Sequence, residues 1–353
     1  FADLDAALAW GAFDAAINVT PDGVHHPTTM RLVAAGKHVF CEKPLAPVYP
    51  LAREMADAAE AAGVINMVNL TYRASPALQK ARAMVVAGEI GEIRHMDASY
   101  FQSWLVGRHW GDWRTEERWL WRLSGAHGSK GVVGDVGIHI VDFATYAAAS
   151  DIASLSSRTK TFHKADGDRI GAYALDVNDS AILSVELRNG ALGVIQATRF
   201  ATGNLNDLRL SLYGTKGALR VFTDGKVSSL SACLAADIDT QTWRPVETPP
   251  VETTYQRFAA ALRSGVNGDP DFRRAADIQR VLDLCLEDSG AGVINAPIVC
   301  GAVTSGTFTI TGDLSSLADG AISFAVTHDD AVGNTANANA GTTKDTVLPT
   351  VAI

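Results

Sequence analysis

The sequence predicts an α/β fold that continues into an α+β fold and ends in a small all-β segment. Three observations predict it. Short apolar runs alternate with Ala-rich, helix-length segments over residues 15–70. Further along, Asn189-Gly190 gives a strong hairpin signal between two strand-like runs. From Gly290 onward the chain contains no Glu, Arg, Trp or Tyr, and this change of composition predicts a domain boundary.

The first predicted elements are an amphipathic helix, LDAALAW at Leu4–Trp10, and a buried strand, AAINVT at residues 15–20. A helix is predicted over residues 27–35, where a proline suits the first turn and Gly36 supplies a stop signal. The second strand, HVFC at His38–Cys41, follows at once. Strand, helix and strand in this order form a parallel βαβ unit with a right-handed crossover.

A second Ala-rich helix is predicted over residues 51–62, and a third strand over residues 64–70. The segment CEKP at residues 41–44 therefore places Lys43 at the carboxyl end of the second strand, directly before a proline. Open α/β sheets bind ligands at this end of their strands. Lys43 is thus the first candidate functional residue.

Residues 93–289 combine strand and helix patterns without the regular alternation of the first part. Strands are predicted at residues 93–102, 181–187, 191–199 and 208–213. Helices are predicted at residues 75–87, 136–148, 255–263 and 272–287. Several antiparallel strands beside helices indicate an α+β region with a mostly antiparallel open sheet.

Composition excludes several function classes. The 39 acidic and 30 basic residues give a net charge of −9, with no Lys/Arg-rich segment, so nucleic acid is not an expected partner. No apolar stretch approaches the ~18 residues that a membrane span needs. The four cysteines are scattered without CxxC spacing, which indicates neither a zinc site nor a disulfide framework and fits a reducing cytoplasm.

Several separated segments resemble the Gfo/Idh/MocA oxidoreductases over about residues 1–289. The nucleotide-binding domain of that family is matched by TPDGVHHPTTMRLVAAGKHVFCEKPLA at residues 20–46, and its crossing into the second domain by NLTYRASPALQKARAMVVAGEIGEI at residues 69–93. GVVGDVGIHIVDF at residues 131–143 is similar to the family's Asp-x-Gly-x-His substrate motif. YGTKGALRV at residues 213–221 and FRRAADIQRVLD at residues 272–283 match later landmarks.

The resemblance implies a nicotinamide-dependent dehydrogenase of sugars or polyols, with NAD or NADP as cofactor. It implies a partial Rossmann domain over residues 1–74 and a substrate domain over residues 75–289, whose open sheet serves a homo-oligomer. The cofactor contacts that it implies are Thr20, Pro21, His25, Glu42 and Lys43.

The sequence departs from the family at its start. No Gly-x-Gly-x-x-Gly pattern occurs in the 353 residues, and only one helix precedes the strand that begins at Ala15. We therefore expect the family's first three strands to be absent and the strand at residues 15–20 to form an open, apolar edge. The turn that holds the pyrophosphate on a helix N-terminus would be absent too, so we expect little cofactor binding at micromolar concentrations.

Oxidation of a secondary alcohol needs a base, a group that stabilises the alkoxide and a hydride acceptor. His139 is the best base, because an imidazole exchanges protons near neutral pH. Asp135, His139 and Asp142 share one face of a predicted helix, so Asp135 is expected to orient the substrate or the imidazole, with Asp142 in support. Lys43 is expected to polarise the oxygen. Two readings of Asp135 remain open: a substrate contact, and a purely structural helix cap. The same triplet could hold a metal, but no further His/Cys cluster completes such a site.

The other candidate residues each have a structural interpretation as well as a functional one. Tyr72 and Arg73 follow the third strand, where contact with substrate and support of the hinge are equally expected. Five tryptophans lie in one connecting segment. Among them Trp121, with its neighbour Arg122, is expected to line the substrate pocket. Aromatic faces stack on sugar rings, although buried packing is their commoner role.

The last segment, residues 290–353, has a different character. TFTIT at residues 307–311 and AISFAVT at residues 321–327 alternate apolar and polar residues, which predicts half-buried strands. GDLSSLADGAISFAVTHDDAVGNTA, with DTVLPTVAI at the end, resembles a bacterial Ig-like repeat. This resemblance leaves two alternatives to the enzyme: a surface or secreted binding protein that acts through the tail, and an inactive gene-fusion product.

Overall fold

The computed structural model describes residues 1–288, 296–297, 320–329 and 335–344. The helices of these residues are α1 (Leu4–Trp10), α2 (Asp22–Ala34), α3 (Tyr49–Ala61), α4 (Pro76–Val86), α5 (Glu117–Leu120), α6 (Ile138–Ala147), α7 (Asp237–Thr240), α8 (Thr254–Ser264) and α9 (Phe272–Asp288).

The strands of the first 174 residues are β1 (Ala15–Asn18), β2 (His38–Cys41), β3 (Asn66–Val68), β4 (Ile93–Phe101), β5 (Ile152–Lys160), β6 (Arg169–Ile170) and β7 (Tyr173–Ala174). The later strands are β8 (Ser180–Leu187), β9 (Leu192–Thr198), β10 (Asp207–Gly214), β11 (Gly217–Thr223), β12 (Ser228–Leu234), β13 (Arg244–Val246), β14 (Ala296–Pro297), β15 (Gly320–Asp329) and β16 (Thr335–Lys344).

The first sheet contains three parallel strands in the order β1-β2-β3, as the alternating apolar runs predict. Within the described residues only α1 precedes β1, which forms one edge of this sheet and leaves Ile17 54% exposed. The stop signal at Gly36 is confirmed, because this glycine adopts the left-handed conformation with φ +68°.

Helix α2 begins five residues before the predicted start. Pro21 occupies its N-cap, and Asp22 contributes a negative charge to the first turn. Pro27 lies inside the helix. The prediction took this proline as the first helical residue, whereas the helix tolerates its missing N–H in the second turn.

The second sheet contains nine strands in the order β13-β12-β11-β10-β4-β9-β8-β5-β14. Its neighbours pair antiparallel except for β4 and β9, which are parallel, so the sheet is mixed. Along β8 buried and exposed residues alternate, and the buried set packs in the main hydrophobic core. Helices α4, α6 and α9 pack on this sheet, and α9 also packs on α3 beside the first sheet.

The predicted helix over residues 136–148 is two elements. A single π turn at Val133–Gly137 leads directly into α6. Asp135 therefore lies in the π turn, while His139 and Asp142 lie in the regular helix. Single π turns occur frequently at functional sites.

The chain divides into two units, Phe1–Ala291 with Ala296–Val299, and the remainder. In the second unit β15 pairs antiparallel with β16, and β15 contains the strand predicted at residues 321–327. The strand predicted at residues 307–311 and the final run lie outside the described residues. Among the described helices none has the length and apolar character that a bilayer crossing requires.

Candidate active site

Lys43 leaves the carboxyl end of β2 and reaches towards the π turn. Its Nζ donates to the backbone oxygen of Asp135 at 2.9 Å and lies 3.5 Å from Asp135 Oδ1. Both side chains are about three-quarters buried, with exposed fractions of 22% and 27%. Two candidates that are 92 positions apart in the sequence, one from each sheet region, therefore meet.

The segment that carries Lys43 is held by a fully buried histidine. The imidazole of His25 bridges the backbone oxygens of Thr20 and Pro44, each at 2.7 Å from a ring nitrogen. This bridge ties the loop after β1 to the loop after β2. His25 thus holds the two loops at the ligand-binding end of the first sheet.

The other expected cofactor residues lie at the same carboxyl end of the strands. Thr20 Oγ1 donates to Asn18 Oδ1 at 2.8 Å, and Pro21 caps α2. The carboxylate of Glu42 accepts a hydrogen bond from Asn69 Nδ2 at 2.6 Å. All of these residues follow β1 or β2, so the structure brings the predicted cofactor residues together at one edge.

Asp135 is the electrostatic centre of the site. Its Oδ2 lies 3.1 Å from Arg199 Nη2 and 3.9 Å from Arg122 Nε, while Oδ1 faces Lys43. Burial would raise the pKa of Asp135, but the charges of Lys43, Arg199 and Arg122 outweigh burial and hold the pKa well below its usual range. Its side chain bonds to these cations rather than to a helix N–H, so a simple helix cap does not describe it.

His139 lies one turn further along, on α6, and is only 8% exposed. Burial, followed by the charge of Lys43, lowers the pKa of His139 to about 3, although Asp135 and Asp142 act in the opposite direction. Its Nδ1 is buried without a hydrogen-bond partner among the described residues. The imidazole is therefore neutral at physiological pH, and the described residues leave this ring nitrogen without a hydrogen bond.

A ring of polar side chains forms the wall beside His139. Tyr72 meets the imidazole edge to face, with ring centroids 5.1 Å apart. The hydroxyls of Tyr72 and Tyr100 are 2.7 Å apart, and Asn206 bonds to both, with Nδ2 2.7 Å from Tyr72 Oη and Oδ1 2.6 Å from Tyr100 Oη. Tyr72 is thus placed at the site, together with Tyr100 and Asn206, which the sequence reasoning missed.

Arg73 points away from this wall into the protein. Its guanidinium is 1% exposed and binds both oxygens of Asp142, at 2.6 and 2.7 Å, and Asp269 at 2.7 Å. Arg274 also contacts Asp142, at 3.2 Å. The structure therefore places Arg73 behind α6 as a buried ion-pair partner, instead of beside Tyr72 in the cleft.

The tryptophans divide into two roles. Trp104 and Trp113 are buried in a small core, and Trp110 stacks on Trp119 next to it. Trp121 is partly buried, and its ring lies 4.6 Å from the guanidinium of Arg122, whose Nε is 3.9 Å from Asp135 Oδ2. Within the described residues no group of three His, Cys, Asp or Glu side chains is arranged to hold a metal ion.

Two models of known protein families match consecutive parts of the chain. The family model described as oxidoreductase family, NAD-binding Rossmann fold, matches residues 1–70. The model described as GFO/IDH/MocA C-terminal domain matches residues 78–220. Together they span the first sheet and the strands that surround the candidate site.

Individual relatives are distant but cover most of the described fold. Levoglucosan dehydrogenase of Pseudarthrobacter phenanthrenivorans is 28% identical over 245 residues, 65% of this chain and 61% of the relative. The NAD(+)-dependent scyllo-inositol 2-dehydrogenase of Bacillus subtilis is 27% identical over 210 residues, 60% of this chain. The chain thus spans 61% and 55% of the length of these two relatives. A crystal structure of an oxidoreductase domain protein from Kribbella flavida superposes with a TM-score of 0.69 and 31% identity, covering 81% of each chain.

Proposed function

Because the chain belongs to the Gfo/Idh/MocA family of oxidoreductases, we propose that it transfers a hydride between a secondary hydroxyl group of a sugar or polyol and a nicotinamide cofactor. The observation that carries this proposal is the meeting of Lys43 with Asp135, beside the neutral His139. The relatives whose names specify levoglucosan and scyllo-inositol support a cyclic carbohydrate or polyol as the substrate class.

The proton of the substrate hydroxyl passes to His139. Because burial and Lys43 lower its pKa to about 3, the imidazole carries no extra proton at neutral pH. A pKa this low makes the ring a weak base, so the transfer relies on groups that favour the imidazolium. The neighbouring charge of Asp135 favours the imidazolium once the proton has arrived. In the reverse direction the same ring returns the proton to the oxygen.

Lys43 stabilises the oxygen that loses this proton. Its ammonium is held by Asp135 and points into the same cleft, so it donates a hydrogen bond to the developing alkoxide. A preorganised donor of this kind typically contributes about 10²- to 10³-fold in rate. Asp135 sets the direction of the ammonium through its backbone oxygen and its carboxylate.

The residues after β1 and β2 fit the nicotinamide-ribose end of the cofactor. Glu42 offers a carboxylate that accepts hydrogen bonds from hydroxyl groups, and Asn69 fixes its orientation. Thr20, Pro21 and His25 form the adjoining edge of the sheet. When bound, the cofactor supplies the acceptor or donor of the hydride.

The direct test is turnover on a panel of cyclic sugars and polyols, followed by NADH absorbance with cofactor in the millimolar range. We expect oxidation of at least one cyclic substrate and a loss of about 10²- to 10³-fold in kcat for Lys43→Met. Lys160→Met, which removes an exposed lysine at the end of β5, is the matched control and should retain activity. Equal rates for Lys43→Met and the unmodified protein would contradict the proposal.

For residues 290–353 we propose an Ig-like β-sandwich repeat. The alternation of apolar and polar residues and the antiparallel pairing of β15 with β16 support it. A surface-binding function would depend on this segment alone. The enzymatic function has broader support, because it uses side chains from two separate sheet regions of the first unit.

A further inference from the structure

We propose that Arg199 is a positioning residue of the active site: it fixes the carboxylate of Asp135, and Asp135 in turn holds the ammonium of Lys43 beside His139. This inference rests on the proposed hydride-transfer function and assigns a role to a residue that no sequence motif singled out. Arg199 directly follows β9, and its side chain is fully buried.

The contacts of Arg199 converge on the site. Its Nη2 donates to Asp135 Oδ2 at 3.1 Å, and its Nη1 donates to the backbone oxygen of Arg122 at 3.2 Å. The guanidinium lies 5.0 Å from the ring centre of Trp104. One planar group therefore restrains both the central carboxylate and the segment that carries Arg122, the second cation near Asp135.

The second sheet holds Arg199 firmly from behind. Its backbone N–H donates to the backbone oxygen of Asp179 at 3.1 Å. The side chain of Asp179 is itself buried and paired with Lys164 at 2.6 Å. The negative charge of Asp179 also acts on Arg199, although no side-chain ion pair joins the two among the described residues, while Asp135 pairs with Arg199 directly. A buried arginine is costly without such partners, and this arrangement supplies them on two sides.

The two carboxylate oxygens of Asp135 contact different cations. Oδ2 faces Arg199 and Oδ1 faces Lys43, so fixing the first oxygen fixes the plane of the carboxylate and the position of the second. A lysine side chain is flexible and ends in a compact charge, whereas the arginine fork is rigid. The rigid group can therefore direct the flexible one through the carboxylate between them.

Arg199 also has unused bonding capacity on this side of the protein. Its Nε is buried without a hydrogen-bond partner among the described residues, as is Asp179 Oδ1. A residue that served only to stabilise the fold would be expected to satisfy its buried donors. Arg199 instead leaves its Nε without a partner among the described residues and directs Nη2 to Asp135. Since Asp22 and His139 are also electrostatically coupled to Asp135 or Lys43, a change at Arg199 should register throughout the site.

The test compares Arg199→Met and Arg199→Lys with Arg209→Met, which removes an exposed arginine from the adjoining part of the second sheet. Two readouts require neither sugar nor cofactor: the titration of the Asp135 carboxyl carbon by NMR, and the rate at which Lys43 is reductively methylated. For Arg199→Met we expect the Asp135 titration to move to higher pH and the Lys43 rate to change. Arg199→Lys should keep the Asp135 titration close to that of the unmodified protein, while the Lys43 rate still changes. Arg209→Met should alter neither.

Kinetics supply the third readout. A misplaced Lys43 should lower kcat by about 10²-fold with little change in KM for the sugar. If Arg199→Met does not fold, Arg199→Lys decides through the Lys43 rate. An unchanged Asp135 titration and an unchanged Lys43 rate would overturn the positioning role. Absence of turnover in the unmodified protein with every sugar would count against the proposed function instead, because the two ligand-free readouts do not depend on it.

Discussion

We expect His139→Asn to lower turnover by about 10²- to 10⁴-fold, the usual contribution of a positioned general base. Asparagine is polar and smaller than histidine, but it has no ring nitrogen that can take up the hydroxyl proton. His139 is nearly buried, and its unpartnered Nδ1 indicates that the surrounding residues do not use this atom for structure. The loss should therefore appear in kcat rather than in the folding of the protein.

Steady-state kinetics on the best substrate of the panel provide the measurement. His95→Asn is a matched control, because His95 is an exposed residue of β4 that lies against Tyr213 and outside the cleft. A kcat for His139→Asn within a factor of about three of the unmodified protein would assign the base to another group, given the 10²-fold minimum expected of a general base.

His139→Asn should also change how the free energy of unfolding depends on pH. The pKa of His139 falls from 6.5 to about 3 in the folded protein. Between pH 6.5 and about pH 3, His139 is protonated in the unfolded chain but neutral in the folded chain. The free energy of unfolding therefore falls as the pH decreases through this window. His139→Asn lacks this proton uptake. Urea unfolding at neutral and mildly acid pH should show a smaller loss of stability for the variant.

Arg73→Met should lower the free energy of unfolding by about 3–5 kcal/mol, the cost of removing one partner from a buried ion pair. Asp142 would lose the two bonds at 2.6 and 2.7 Å and would keep only Arg274, at 3.2 Å. Burial would then be opposed by fewer charges and would raise the pKa of the Asp142 carboxyl. In the native protein burial would raise the pKa of Asp142, but the charges and hydrogen bonds of Arg73 and Arg274 together outweigh burial and keep this pKa low.

Urea unfolding of three variants tests this expectation. Arg82→Met is the matched control, because Arg82 lies over the same ring of Tyr146 as Arg73 but forms no carboxylate ion pair within the described residues. Arg82 is partly buried and donates to the backbone oxygen of Tyr146, so its removal should cost about 1.5 kcal/mol, the value for one hydrogen bond from a charged group. Arg73→Met with Asp142→Asn should recover part of the loss, because the unpaired charge is gone. A single variant as stable as the control would show that the pair contributes little.

The parts of the site that were predictable are those that short motifs carry. Lys43 is found because strand, turn and proline place it at a sheet edge, and the structure confirms that strand arrangement. Asp135 and His139 are four residues apart, so local helical geometry alone brings them together. In each case the determining interactions lie within one or two elements.

The parts that were missed depend on how the second sheet pairs its strands. Tyr100, Arg199 and Asn206 lie at or beyond the ends of β4 and β9 and just before β10, which are neighbours only because β4 is inserted between β9 and β10. No local pattern encodes that order. For Arg73 the sequence leaves substrate contact and hinge support equally open, because its position after β3 is local information, whereas its partner Asp142 is 69 positions away.

Two errors in the elements have similar physical causes. The strand β5 was not predicted because its sequence, IASLSSRTK, has three serines, ends in three polar residues and lacks a strong apolar alternation. The start of α2 was placed too late because Pro27 is a common first-turn residue. Tertiary packing overrides such local preferences when the neighbouring backbone is already fixed.

The ring of Tyr72, Tyr100 and Asn206 gives the wall beside His139 a defined donor–acceptor polarity. Asn206 Nδ2 only donates and Oδ1 only accepts, so Tyr100 donates to Asn206 and Tyr72 donates to Tyr100. The second N–H of Asn206 is taken by the backbone oxygen of Asp224 at 3.3 Å. All the hydrogens of these three polar groups are thus used within the protein. Gln102 Nε2 also donates to Asn206 Oδ1 at 2.8 Å and to Tyr100 Oη at 3.4 Å, so the lone pair that remains is on Tyr72 Oη. If the proposed function holds, we expect this wall to accept a hydrogen bond from the alcohol form of the substrate and to give none to the ketone form.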